Sequence, residues 1–378
     1  MFVGIANTPR DYAWGSRDDI AQLLGRKPSG GPEAEYWLGT HPGSPSTTEG
    51  GGTLSDLTTL PFLLKVLAAD APLSLQAHPN LEQARAGFDR ENALGIPLDS
   101  PTRNYKDALH KPELVYALSD EYHALCGFRS VAATRELLAA FGPDPLVAGL
   151  LDRLVDDSSL RSVFEWLITR GDGVDELVAR VVELAASAAG SSQARLEFAT
   201  VGDLAAAYPG DPGIVIALLL NRVVLRRGQV LYLPAGNIHA YLNGLGIELM
   251  AASDNVLRGG LTPKYVDVPE LLGVLDFRPL PVPILEPIRP SVGIEIFRPD
   301  VPDFELVVVE PGGGSAVFTP TADSIALCTA GELTVAGASG LRSIPRGASV
   351  YVTADEGELT FAGTGTVFMA TSELTGPR

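Results

Sequence analysis

The sequence predicts a mainly β protein carrying one α-helical insert. Three observations point there. The 40 glycines and 29 prolines are spread along all 378 residues instead of being gathered in a linker, which marks many short strands joined by turns. Leu73-Ser-Leu-Gln-Ala-His78 alternates apolar and polar residues with the period of a strand. From Val131 onward, alanine-rich stretches place apolar residues at helical spacing instead.

Up to residue 130 the chain reads as strands broken by turns. Pro61-Phe-Leu-Leu-Lys-Val-Leu67 is a buried strand by pattern. In the next strand Leu73, Leu75 and Ala77 share one face, and Ser74, Gln76 and His78 share the other. A wholly polar face either lies on solvent or lines a site. The spacing predicts helices over Val131–Phe141, Ser162–Ile168 and Val174–Ala185, and strand character returns at Gln229-Val-Leu-Tyr-Leu233. The chain thus divides into one β unit of residues 1–130 and 226–285, a helical insert of residues 131–225, and a second β unit of residues 286–378. Arg227-Gly-Gln-Val-Leu-Tyr-Leu-Pro234 is echoed by Arg346-Gly-Ala-Ser-Val-Tyr-Val-Thr353, so the second unit reads as a duplicate of the first. It lacks the histidine that follows in the first copy, and no metal site is expected there.

A formal charge of -18 argues against nucleic acid or an anionic membrane as partner, because both select basic surfaces. Lysines and arginines gathered around one pocket of so acidic a chain would instead point to an anionic ligand. Cys126 and Cys328 lie far apart without a CxxC pair, which fits a reducing compartment better than a disulfide framework. The opening residues contain no apolar signal stretch. Ile214–Leu220 is far shorter than the roughly 20 apolar residues a membrane helix needs. A soluble, cytoplasmic monomer is expected, with a weak homodimer as the alternative.

The segment Gly228–Asn243 carries the chemistry. It follows the second cupin motif: glycine, five residues, Pro-x-Gly, two residues, histidine, three residues, asparagine. A strand that ends at a Pro-x-Gly turn aims His239 back into a barrel mouth. The first cupin motif usually supplies His-x-His, and Gln76-Ala-His78 stands in that place. Alternate strand residues lie about 6–7 Å apart on one face, so both side chains can reach one metal. Glutamine binds through a neutral oxygen, and two imidazoles with a single carboxylate leave a divalent ion net positive and Lewis-acidic. The motif and the internal echo together predict a duplicated cupin (jelly-roll β-barrel) architecture plus an α-helical domain. Spacing alone does not choose the carboxylate among 46 acidic residues.

A series of further segments resembles the type I mannose-6-phosphate isomerase family: Tyr12-Ala-Trp-Gly-Ser16, Glu35-Tyr-Trp-Leu-Gly-Thr-His-Pro42, Leu73–Asn80, Asn104-Tyr-Lys-Asp107, His110-Lys-Pro-Glu113, Ala124–Phe128, Leu233–Tyr241 and Ser253–Tyr265. The resemblance implies that Gln76, His78, Glu113 and His239 hold one Zn2+ and that Arg258 is catalytic. Gly259 departs from it, since relatives often carry alanine there. It also implies interconversion of mannose 6-phosphate and fructose 6-phosphate through a cis-enediol, with a phosphosugar as the bound partner. A proton must then move between C1 and C2, and Lys111, His110, Glu248 and Asp254 are the unranked candidates for carrying it. A lysine beside zinc and arginine has its pKa lowered by like charge, which favours a base role. Ser74, Lys65 and Lys264 are expected at the phosphate, and Trp14 and Tyr241 as further substrate contacts.

Plainer readings stand beside these. His41 and His123 read as structural histidines. Trp14 serves core packing as easily as a sugar platform. Lys65 sits in an apolar strand, where an ammonium needs either an anionic ligand or a buried carboxylate. An iron-dependent cupin oxygenase is disfavoured by Gln76. A sugar-binding regulator is disfavoured by the charge and by the want of a helix-turn-helix. A bifunctional isomerase–nucleotidyltransferase would show a glycine- and arginine-rich signature near the start, and none is there.

Overall fold

The computed structural model describes residues 1–188 and 195–373. Two antiparallel sheet systems, of nine and ten strands, dominate it. The nine-stranded system is organised on the thirteen-residue strand His239–Ala251. Over Gly244–Ala251 this strand pairs with Phe62–Ala69 and over Gly246–Met250 with Glu113–Ala117. At its other end it pairs with Glu121–Phe128 and with the short strand Gln76–Ala77. The register shifts between Tyr241 and Asn243, a bulge that lets one strand pass between two parts of the sheet.

Alternation along Phe62–Ala69 separates two environments. Phe62, Leu64, Val66 and Ala68 face the ten-stranded sheet and share a core with its Phe297, Leu306, Ile325, Tyr351 and Phe368. Leu67 and Ala69 belong to a second cluster with Val115, Tyr122 and Tyr241. The two sheets are therefore packed face to face through one apolar layer.

Three features differ from the sequence expectation. Of the alternating stretch, only Gln76–Ala77 joins a ladder; Leu75 and Ala77 pack into the helical core, whereas Leu73 packs beside Trp14 against the other cluster. A helix, Leu81–Ala93, stands where only strands and turns were read; a reciprocal capping box between Asn80 and Gln83 starts it. Strands Phe2–Ala6 and Thr47–Thr48, which the sequence placed with the first β unit, hydrogen-bond in the ten-stranded sheet beside Ser349–Val352.

Helices follow the strand Glu121–Phe128, namely Val131–Ala139, Leu160–Ile168 and Val174–Ala188. The insert also contains Pro145–Arg153, capped by the Asp144 carboxylate, and Leu196–Ala207. It closes earlier than residue 225, because Leu220–Arg226 is a strand antiparallel to Glu121–Phe128. The insert is thus a long excursion between two paired strands. Its core reaches Leu75, Ala77, Leu257 and Leu261, so the helices back the strands that carry Gln76 and Arg258. No helix among the described residues is long and apolar enough to cross a membrane.

Candidate metal centre and cationic cleft

His239 opens its strand directly after the Pro234-Ala-Gly-Asn turn. Gly236 there has φ +79°, and a side chain would press within 3.1 Å of the Val274 carbonyl, so the turn requires glycine. Backbone pairing sets His239 opposite Gln76, and Gln76 opposite Arg258. Glu113 starts a strand wedged between Leu233 and Met250. These pairings bring His78, Glu113 and His239 together, with ligand atoms within 4.8 Å of one another.

The contacts are those of a cluster that could hold a cation. His78 Nε2 lies 3.3 Å from Glu113 Oε1, and His239 Nε2 lies 3.4 Å from Glu113 Oε2. All three side chains are buried. His78 Nδ1 is 2.8 Å from the Asn255 carbonyl and His239 Nδ1 is 3.0 Å from the Asn237 carbonyl. A carbonyl only accepts, so Nδ1 carries the proton in each ring. In its neutral form each ring then offers an Nε2 lone pair to a carboxylate that also only accepts. His78 Nε2, His239 Nε2 and Glu113 Oε2 accordingly have no hydrogen-bond partner. Three inward-facing acceptors without a donor fit a divalent metal.

Charge reinforces that reading. Burial, together with the nearby Lys111 and His239, outweighs Glu113 and brings the His78 imidazole down to about 4. Burial alone would raise Glu113, but Lys111 and the two histidines hold it well below the usual carboxylate range. Lys111 Nζ stands 2.9 Å from Glu113 Oε1.

A cavity of about 950 Å3 has a lining that includes Asn104, Lys106, Asp254, Arg258, Lys264 and Tyr265; it is linked to the cluster through Arg258, which pairs with Gln76, and through Asp254, which precedes the Asn255 that holds His78. Partial burial lowers the pKa of Arg258, and the Arg258 charge lowers that of Lys264. Two mutually repelling cations at one cavity wall are what an anionic ligand relieves. Asp254 is oriented by His41, whose Nδ1 accepts from Gly43 N–H at 3.1 Å and whose Nε2 lies 3.3 Å from Asp254 Oδ1. His41, read from the sequence as structural, thus contacts a residue of the cavity lining. His123 binds Arg222 away from the cluster.

The other expected site residues are scattered. Lys65 lies buried 2.8 Å from Glu248 Oε2 and 3.5 Å from Glu35 Oε1. Burial disfavours its charge, yet those carboxylates outweigh burial and raise its pKa. Burial and the neighbouring Glu113 and Glu35 raise Glu248 in turn, against the pull of Lys65. Tyr241 is fully buried, with its ring 5.5 Å from Tyr122 and 6.1 Å from His239. Trp14 stacks on Tyr12 and packs at a cluster edge, Ser74 is half-buried, and neither lines the cavity. Asn255 was not singled out from the sequence. Its carbonyl accepts from His78, its Oδ1 accepts from Lys106 N–H at 2.7 Å, and its Nδ2 donates to the Leu109 carbonyl at 2.8 Å. It thus ties a cluster histidine to the loop leading into Glu113.

Antiparallel sheets, a buried two-histidine, one-carboxylate cluster and an adjoining cationic cleft define a protein equipped to hold a divalent cation next to an anionic ligand. A model of the type I phosphomannose isomerase catalytic domain matches residues 52–131. The mannose-6-phosphate isomerase of Escherichia coli is 36% identical over 386 residues, covering 96% of this chain and 97% of its own. That of Salmonella typhimurium is also 36% identical, with the same coverage. A crystal structure of mannose 6-phosphate isomerase bound with zinc and yttrium superposes with a TM-score of 0.89 at 33% identity, covering 99% of this chain and 100% of that one. The chain belongs to the type I mannose-6-phosphate isomerase family.

Proposed function

We propose that the chain interconverts mannose 6-phosphate and fructose 6-phosphate through a cis-enediol and depends on zinc to do so. The observation that carries this reading is the set of donorless acceptors on His78, Glu113 and His239 beside a cavity walled by Arg258 and Lys264. Gln76, paired to both His239 and Arg258, supplies the fourth, neutral ligand. Zinc there would polarise the sugar oxygens. Arg258 stabilises negative charge developing on the sugar oxygen, and Lys264 meets the phosphate. Ser74, Trp14 and Tyr241 remain proposed substrate contacts, with the Tyr241 ring 6.1 Å from that of His239. Lys65 and Glu248 are committed to each other, so we assign Lys65 to holding the strand pair and not to phosphate. Proton transfer falls to Asp254, which lines the cavity, or to His110 or Lys111 in the segment that delivers Glu113.

The duplicated cupin architecture belongs to the same proposal. It is supported by the two echoed segments, which form the corresponding strands Val230–Leu233 and Ser349–Val352. A reducing, cytoplasmic location accords with Cys126 and Cys328, both buried free thiols. The test is to incubate chelator-treated protein with mannose 6-phosphate, with and without added zinc, and follow fructose 6-phosphate by NMR. Absence of product in the zinc-restored sample overturns the proposal.

A further inference from the structure

A turn of the ten-stranded sheet reaches the loop that leads into Glu113. Between its strands Ile294–Phe297 and Glu305–Val309 the chain makes a turn at residues 298–304. Phe297 and Phe304, at the two ends, are buried in the core shared by both sheets. Asp303, in the turn, is fully buried, and its Oδ2 lies 3.0 Å from His110 Nε2. The turn touches the first sheet a second time: burial, and after it a hydrogen bond with Asp300, raise the Tyr232 pKa, and Tyr232 pairs in register with Leu114, next to Glu113.

A buried carboxylate facing an imidazole nitrogen has one good arrangement, in which the nitrogen donates. In the neutral ring the proton of His110 therefore sits on Nε2, which leaves Nδ1 as an acceptor. The preceding residues are fixed from the opposite side, where Asn255 Nδ2 donates to the Leu109 carbonyl at 2.8 Å and Ser253 Oγ donates to Asp107 Oδ1 at 2.9 Å. His110 is thus the point at which one sheet's loop is gripped by the other sheet's turn, immediately before Lys111 and three residues before Glu113.

We propose that Asp303 is a positioning residue of the active site: the second β unit, which shows no metal cluster among its described residues, contributes the carboxylate that fixes the tautomer and orientation of His110. This supplies a function for that unit beyond covering the first. The kinetic part rests on the isomerase reading; the tautomer does not.

The chain has five histidines, so imidazole nitrogens can be resolved individually by 15N NMR. The wild type is expected to show His110 protonated at Nε2, and Asp303→Leu a mixture of tautomers. Asp303→Leu should lower kcat roughly 10- to 100-fold with KM changed less than about twofold and zinc content unchanged. Asp303→Asn, which keeps an acceptor of the same size, should recover part of that loss, and it carries the test if the leucine variant does not fold. In a His110→Gln background Asp303→Asn should cost nothing further, since it acts through the missing ring. A His110 proton on Nδ1 in the wild type, additive losses in the double variant, zinc loss parallel to activity, or unchanged kcat in both Asp303 variants would each overturn the proposal. If the wild type itself gives no turnover, the isomerase reading fails, and the NMR comparison alone decides the role of Asp303.

Discussion

Lys65 Nζ and Glu248 Oε2 lie 2.8 Å apart on adjacent antiparallel strands, directly paired in register, with Glu35 completing a buried charge group. Desolvating such charges is costly, and removing one partner strands the other. Lys65→Met is expected to cost about 3–5 kcal/mol of stability, read from urea unfolding, and Lys65→Met/Glu248→Met to recover part of it. The substrate KM of the folded Lys65 variant should change less than about twofold, whereas Lys264→Ala should raise it at least roughly tenfold. The reverse pattern would return Lys65 to the phosphate.

That pair also marks the boundary of what the sequence disclosed. A lysine in an apolar strand announces a need for a partner, but Glu248 becomes that partner only through the register between Phe62–Ala69 and His239–Ala251. His78 and His239 were legible because a local motif fixes each one's direction. Glu113 was reached only by resemblance, because its place depends on pairing with Leu233 and Met250, both remote in sequence. Three helices of the insert, Val131–Ala139, Leu160–Ile168 and Val174–Ala188, were legible from their apolar spacing, whereas Pro145–Arg153 and Leu196–Ala207 were not read. Leu81–Ala93 was not, because it buries little beyond Ala84 and Gly87, and its sole strong signal was the Asn80–Gln83 cap.

The metal cluster separates binding from chemistry. His78→Ala and His239→Ala should lose zinc, measured by atomic emission after gel filtration, because each removes a ligand from a closed set of acceptors. Arg258→Ala should retain wild-type zinc while kcat falls by about 10²–10³, as for loss of a group that stabilises developing negative charge. Equal zinc in His239→Ala and wild type would refute the ligand set.

Acid should act first on the metal-free protein. The His78 pKa is depressed by burial to about 4, from an ordinary 6.5, so between those values the unfolded chain binds a proton that the folded chain refuses. Stability therefore rises with pH across this window and is lost on acidification through it, by about 3 kcal/mol if His78 acted alone. Glu113, held below its ordinary 4.5, adds loss in the same direction at lower pH. The melting temperature of chelated protein should fall between pH 6.5 and 4, and bound zinc, which keeps those same protons off the folded state, should raise the melting temperature and make its fall on acidification steeper. A flat profile in the metal-free state would count against a neutral, buried His78.

Gly87 sets two small effects against each other. It lies in the interior of Leu81–Ala93, where exchanging glycine for alanine ordinarily stabilises a helix by about 1 kcal/mol. Here an added Cβ would stand 2.3 Å from the ring of Tyr105. That ring cannot yield easily, since it is fully buried and its hydroxyl donates to Glu270 Oε1 at 2.6 Å. Overpacking of this kind costs about 1–3 kcal/mol, enough to outweigh the propensity gain. Gly87→Ala should therefore lower the urea midpoint. The displacement should travel through Tyr105 to Asn104 and Lys106, which line the cavity, and raise KM more than it lowers kcat. A stabilised Gly87→Ala variant would mean that the helix and Tyr105 are not in contact as described.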